Sequence, residues 1–321
     1  MLMFILFVVG LVLVIKGADW LVEGAGSLAR EFGVSDLVVG LTIVSFGTSL
    51  PELIVNLLAS FQGSSELAIG NVLGSNIANI LLILGAAALV GNLPVKRPTV
   101  LSEIPFTLAA ALLVGFLANT TLFNPGAGMG IDRPEGVIIL FFFLLFLVYI
   151  LDLAKQDRSI LGKSPEATGK GVTSKQIIQI GAGTIGLFIG GKWVVDGAIE
   201  MATAMGMSEA FIGLTIVAIG TSLPELVTSV VASYKGNTDI AVGNVVGSNI
   251  FNLLWVLGLS ATIRPLDFQV PSNVDILMII LASSLVLVAL VVGKGLKIKR
   301  IEGAFFLLVY FSYLGYLVMR G

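Results

Sequence analysis

Two glutamates, Glu52 and Glu225, each follow a proline by one residue inside segments otherwise suited to lipid. The first segment, Gly40-Leu-Thr-Ile-Val-Ser-Phe-Gly-Thr-Ser-Leu-Pro-Glu52, returns 173 residues later as Gly213-Leu-Thr-Ile-Val-Ala-Ile-Gly-Thr-Ser-Leu-Pro-Glu225. Proline has no N–H, so Pro51 cannot donate to the Gly47 carbonyl and Pro224 cannot donate to that of Gly220. At membrane depth a freed carbonyl needs a partner, and a cation can be that partner. Thr48, Ser49, Thr221 and Ser222 add hydroxyl oxygens, and Glu52 and Glu225 add carboxylates. The donors are all oxygen, which suits hard cations such as Ca²⁺ and Na⁺. The bland alternative is a proline kink whose glutamate snorkels or pairs with a lysine. Duplication in context speaks against it, because intramembrane carboxylates mark substrate paths.

A second element, Gly70-Asn-Val-Leu-Gly-Ser-Asn-Ile-Ala-Asn79, is repeated as Gly243-Asn-Val-Val-Gly-Ser-Asn-Ile-Phe-Asn252. On a helix Ser75 and Asn79 are four apart and share a face, as do Ser248 and Asn252. Each helix thus carries a polar stripe. Asn and Ser also serve as interhelical hydrogen-bond glue, but beside two glutamate-bearing helices these four are candidate ligands. Asn71, Asn76, Asn244 and Asn249 stand between ligand and brace. Lys192 and Asp196 are spaced to pair on one helix. Lys16, Asp19 and Glu23 read as structural or interfacial groups. Asp132, Asp152, Asp157, Asp267 and Asp275 fall near helix ends or in loops and carry no assigned role.

Composition excludes several chemistries. The chain has no cysteine and no histidine, so disulfides, thiol catalysis and the usual zinc sites lack their parts. No P-loop, catalytic triad or basic nucleic-acid stripe is present. The 321 residues are 56% hydrophobic and 12% charged, about half the usual charged share of a soluble domain. A polytopic α-helical membrane protein follows, because the apolar runs are far longer than barrel strands. The first run, from Met1, leads into Gly17-Ala-Asp-Trp, partly repeated at Gly190-Gly-Lys-Trp. It therefore reads as a mature helix and not a signal peptide.

The elements that must position these residues can be counted. Apolar length predicts ten transmembrane helices, near 3–28, 36–60, 66–90, 103–119, 134–154, 177–203, 210–232, 239–262, 272–292 and 301–319. Residues 1–154 form a first five-helix repeat, 155–176 a cytosolic linker, and 177–321 a second repeat. Five is odd, so the second repeat enters from the opposite face and is inverted. With both termini outside, thirteen basic residues fall in inner segments and three in outer ones, the orientation the positive-inside rule favours. The linker is too short for a folded regulatory domain.

The duplicated Gly-Thr-Ser-Leu-Pro-Glu and Gly-Asn-x-x-Gly-Ser-Asn-Ile-x-Asn motifs resemble the paired alpha repeats of the sodium/calcium exchangers, within the calcium/cation antiporter superfamily. The resemblance spans both halves and the ten-helix layout. It implies acidic ligands at Glu52 and Glu225, and hydroxyl ligands at Thr48, Ser49, Thr221, Ser222, Ser75 and Ser248. It implies backbone carbonyl ligands at Ser45 and Ala218, and a central polar pair at Asn79 and Asn252. Some prokaryotic members carry aspartate at the Asn252 position; this chain does not. The implied function is antiport of Na⁺ and Ca²⁺ by alternating access across the plasma membrane, electrogenic as in the family. Helices 1 and 6 would slide over a core of helices 2, 3, 7 and 8. No cofactor, enzymatic activity, nucleic acid or obligate protein partner is expected. A monomer holds both repeats and hence a whole site. A proton- or potassium-coupled antiporter is the nearest alternative. A cation channel is a further one, disfavoured by paired broken helices in inverted repeats.

Overall fold

Long apolar runs become long helices, because a segment without water must close its backbone hydrogen bonds internally. In a computed structural model, residues 2–120, 128–161, 172–205, 218–292 and 295–320 are described. The first half contains α1 (Leu2–Phe32), the pair α2 (Asp36–Thr48) and α3 (Leu50–Gln62), α4 (Ser65–Val90), α5 (Arg97–Ala118) and α6 (Arg133–Leu161). The second contains α7 (Ser174–Ala204), the pair α8 (Ala218–Thr221) and α9 (Leu223–Tyr234), α10 (Thr238–Ile263), α11 (Ser272–Val292) and α12 (Arg300–Arg320). Among the described residues eight helices are long and apolar enough to cross a membrane, and the bent α2–α3 pair makes a ninth span. Of the expected helix 210–232 only the part from Ala218 is described. Gly213 to Val217 and the middle of the 155–176 linker lie outside the described residues.

The helices differ from the sequence expectation in three ways. α6 runs on to Leu161, through residues expected to be linker. Leu, Ala, Lys and Gln there are good helix formers, and Gln156 Nε2 donates to Asp152 Oδ2 one turn back at 2.7 Å. Second, α2, α4 and α10 contain π-helical stretches at Gly40–Val44, Ala78–Ile83 and Phe251–Val256. Asn79 and Asn252 are the second residues of the last two. Third, the chain is not purely helical. β1 (Leu93–Pro94) pairs antiparallel with β4 (Lys297–Ile298), and β2 (Gly130–Ile131) pairs with β3 (Leu266–Asp267). Each two-residue ladder joins a loop of one half to a loop of the other.

Burial places the motif helices at the centre. The membrane-length windows of α4 and α10 are 83% and 94% buried, against 17% to 33% for α1, α6, α7 and α12. α1 and α7 lie against one another in an antiparallel crossing. A methyl group on Gly10 would sit 2.8 Å from the Gly190 carbonyl oxygen, and one on Gly17 would sit 2.8 Å from that of Gly183. The last helix of each half grips the Gly-Ser-Asn helix of the other. Gly303 of α12 meets Gly85 of α4, and Gly136 of α6 meets Gly258 of α10. Gly136 and Gly303 each follow a glutamate, Glu135 and Glu302, in the first turn of their helices, and the lack of a side chain at all four glycines lets the backbones approach.

Candidate cation site

The two broken helices end their first halves in the same way. Ser49 has φ −84°, ψ 7° and Ser222 has φ −88°, ψ 9°, just off helical values, and each precedes a second half-helix with proline in its first turn. The α2–α3 axis bends by 48° there. Pro51 and Pro224 tolerate the start of a helix because the missing N–H is unneeded there. Glu52 and Glu225 fall in the first turns of α3 and α9, where the N-terminal end of the helix dipole favours negative charge.

These two glutamates meet across the repeats. Ser49 Oγ donates to Glu225 Oε1 at 2.9 Å, and Ser222 Oγ donates to Glu52 Oε1 at 3.5 Å. The serine of each repeat thus orients the carboxylate of the other. Both glutamates are 0% exposed, and among the described residues no lysine or arginine pairs with either. The Thr48 hydroxyl, from the first repeat, lies 3.5 Å from Ser248 Oγ of the second.

Several sequence candidates have buried polar atoms without a hydrogen-bond partner: Glu52 Oε2, Glu225 Oε2, Ser75 Oγ, and both amide atoms of Asn79 and of Asn252. A buried polar atom left unpaired costs free energy, about 1–3 kcal/mol for a neutral group and more for a charged one. An oxygen-binding cation offsets that cost. No group of three or more acidic side chains able to hold a metal ion is present among the described residues. The two buried carboxylates are thus accompanied by neutral hydroxyl and amide groups and not by a third acidic side chain.

The remaining sequence candidates can be placed. Thr221 ends α8, one residue before Ser222, and Ala218 begins it. The Ser45 carbonyl already accepts from Ser49 N at 3.0 Å, and Thr48 Oγ1 lies 3.3 Å from it. A cation ligated by that carbonyl shares it with a helical hydrogen bond. The Lys192–Asp196 pair forms at 2.9 Å on the exposed face of α7, as its spacing implies. Asp19 and Glu23 of α1 both bind Lys235 at the end of α9. Burial pulls the Lys235 ammonium down, but hydrogen bonds to the two carboxylates raise it above the ordinary lysine range, so it stays charged.

Asn71 and Asn244, which the sequence left between ligand and brace, act as braces behind the glutamates, with two partners, Asn56 and Ser229, that the sequence reading left out. Asn71 Nδ2 donates to the Glu52 carbonyl at 3.3 Å and to Asn56 Oδ1 at 2.6 Å. In the second repeat Asn244 Nδ2 donates to the Glu225 carbonyl at 3.4 Å and to Ser229 Oγ at 2.9 Å. Asn56 and Ser229 each lie four residues after a glutamate, so helical spacing alone could have found them. Asn76 instead bonds its own helix, to the Val72 carbonyl at 2.7 Å. Asp275, left without a role, holds Arg320 and Tyr313 of α12.

Known proteins of similar sequence and shape bear on what this geometry is for. The family described as sodium/calcium exchanger protein matches residues 2–151 and 175–319. The chain is 43% identical to the inner membrane protein YrbG of Escherichia coli over 269 residues, covering 81% of this chain and 79% of that protein. It is 33% identical to the sodium/calcium exchanger MaX1 of Methanosarcina acetivorans, with 97% of both chains covered. Among solved structures, that of the sodium-calcium exchanger NCX_Mj soaked with sodium superposes with a TM-score of 0.83 at 30% identity, covering 98% of each chain.

Proposed function

The chain belongs to the sodium/calcium exchanger protein family, and on that premise we propose that it exchanges Na⁺ for Ca²⁺ across the plasma membrane by alternating access, moving net charge in each cycle. It is a multi-pass membrane protein of the calcium/cation antiporter superfamily. The observation that carries the reading is the crossed pairing of Ser49 with Glu225 and of Ser222 with Glu52, amid buried oxygens without hydrogen-bond partners. One binding site is thereby assembled from both repeats. The ligands are Glu52 and Glu225 with the hydroxyls of Thr48, Ser49, Ser75, Thr221, Ser222 and Ser248. The amides of Asn79 and Asn252 and the carbonyls of Ser45 and Ala218 complete the set.

Charge explains the coupling. Two ionised carboxylates give the unloaded carrier two negative charges, which resist movement through a low-dielectric barrier. One Ca²⁺ neutralises them. Three Na⁺ would leave one positive charge, on which the membrane field acts with about 2.3 kcal/mol per 100 mV. Both ions need the same carboxylates, so they compete, and exchange is obligatory.

Ten spans in two inverted repeats, with both termini outside, fit the contacts between loops. Segments expected inside meet one another: β1 pairs with β4, Ser35 N donates to Asp157, and Lys96 pairs with Asp239. So do segments expected outside: β2 pairs with β3, and Gln269 donates to Glu66. The antiparallel crossing of α1 and α7 agrees with inversion. A single chain supplies both halves of the site, which supports a functional monomer.

The test is calcium uptake into proteoliposomes. Vesicles loaded with Na⁺ and diluted into Na⁺-free buffer should accumulate radioactive calcium, faster when the interior is made negative. Uptake indifferent to the Na⁺ gradient but driven by a pH or K⁺ gradient would replace sodium with that ion. An uncoupled calcium current would replace the carrier with a channel.

A further inference from the structure

We propose that Asn244 is a positioning residue for the cation site: it takes the hydrogen of the Thr48 hydroxyl, so that the oxygen presents its lone pairs to the ion. This rests on the exchanger reading of the site. Asn244 is 0% exposed, and both ends of its amide are engaged. Nδ2 donates to Ser229 Oγ and to the Glu225 carbonyl, at 2.9 and 3.4 Å. These bonds orient the amide so that Oδ1 accepts from Thr48 Oγ1 at 3.1 Å. The one side chain thus ties the end of α2, in the first repeat, to the first turns of α9, in the second.

A hydroxyl has one hydrogen and two lone pairs. As a cation ligand it must turn a lone pair inward and send its hydrogen elsewhere. Thr48 has three other neighbours to which it could donate: the Ser45 carbonyl at 3.3 Å, Ser248 Oγ at 3.5 Å, and the Glu225 carboxylate. Donation to Glu225 or Ser248 would point the hydrogen into the site and occupy an oxygen lone pair the cation uses. Asn244 Oδ1, at 3.1 Å, is nearer than the Ser45 carbonyl or Ser248 Oγ, and it is a brace rather than a candidate ligand. Asn244 falls in the same repeated motif as Ser248, and sequence left it between ligand and brace because its role depends on a residue 196 positions away.

The experiment uses the full chain in proteoliposomes and compares wild type, Asn244→Ala, Thr48→Val and the double variant. Each single variant should raise the KM for Ca²⁺ about tenfold, the scale of one lost hydrogen bond in a charged site, with Vmax within about twofold. The double variant should be no worse than the worse single, since coupled residues are not additive. A double variant weakened by the product of the two single effects would overturn the proposal, as would a KM for Asn244→Ala within about twofold of wild type. If Asn244→Ala does not fold, Asn244→Asp decides, because it keeps an acceptor for Thr48 while losing the amide donors. Its KM should stay within about threefold of wild type or fall, and a tenfold rise would overturn the proposal. Wild-type vesicles without Na⁺-dependent uptake would overturn the exchanger reading instead. Titration of Ca²⁺ into the same purified variants would then still test Asn244 through affinity alone.

Discussion

Ser49 and Ser222 do two tasks with one oxygen each: they orient the opposite glutamate and stand among the proposed ligands. Removing either leaves a buried carboxylate oxygen without its donor. A hydrogen bond to a charged group contributes about 1.5–3 kcal/mol. Ser49→Ala or Ser222→Ala should therefore raise the calcium KM by about tenfold or more while transport remains measurable. Glu52→Gln and Glu225→Gln go further, since each halves the negative charge available to the cation. Either change should reduce Na⁺-driven calcium uptake to the level of protein-free vesicles, and activity surviving both would reject a shared carboxylate site. Asn79 and Asn252 are neutral, so in the proposed exchange the charge balance falls on the two glutamates. Which serine faces which glutamate was not legible along the chain, although all four residues were, because hydroxyl partners are chosen by distance across the interface.

At the scale of elements, the proline break sets where the ligands point. Pro51→Ala would restore an N–H able to reach the Gly47 carbonyl and would favour a straight helix in place of the 48° bend. The expected result is a folded protein of equal or higher thermal stability whose calcium uptake falls at least tenfold, because ligand positioning is that sensitive to small displacements. Outside the site, the α1–α7 seam depends on backbones in contact. Gly17→Leu would press a side chain against a carbonyl that a methyl group already meets at 2.8 Å. Overpacking of this kind costs about 1–3 kcal/mol, and a lower melting temperature of the purified protein is the readout. A melting temperature equal to wild type would show that the two helices separate freely. The π-helical stretches were not legible in the sequence. Asn79 and Asn252 stand four residues after Ser75 and Ser248, as expected, but at the point where the helix gains a residue per turn. Such stretches inside α-helices recur at functional sites, and their hydrogen-bond pattern follows from packing rather than from local propensity.

For the whole molecule, the decisive property is which loops share a side of the membrane. The chain contains no cysteine, so single substitutions report sidedness cleanly. In right-side-out membranes, Val270→Cys, between α10 and α11, should react with an impermeant maleimide from outside. Val172→Cys, ahead of α7, should react only after the membrane is opened. Labelling of both from the same side would reject the inverted arrangement. The all-helical membrane character follows from sequence alone, and so do the expectations built on it. Apolar length predicts the number of spans, an odd count per repeat predicts inversion, the lysines and arginines predict orientation, and proline beside glutamate marks the candidate site, since each depends on residue type and spacing within one segment. Only the tertiary structure decided the rest: the crossed Ser–Glu pairs, the Asn71 and Asn244 braces, the loop ladders and the glycine contacts between last and third helices. Each joins residues far apart in the chain, and a sequence records what each partner can bond to but not the distance that selects the bond.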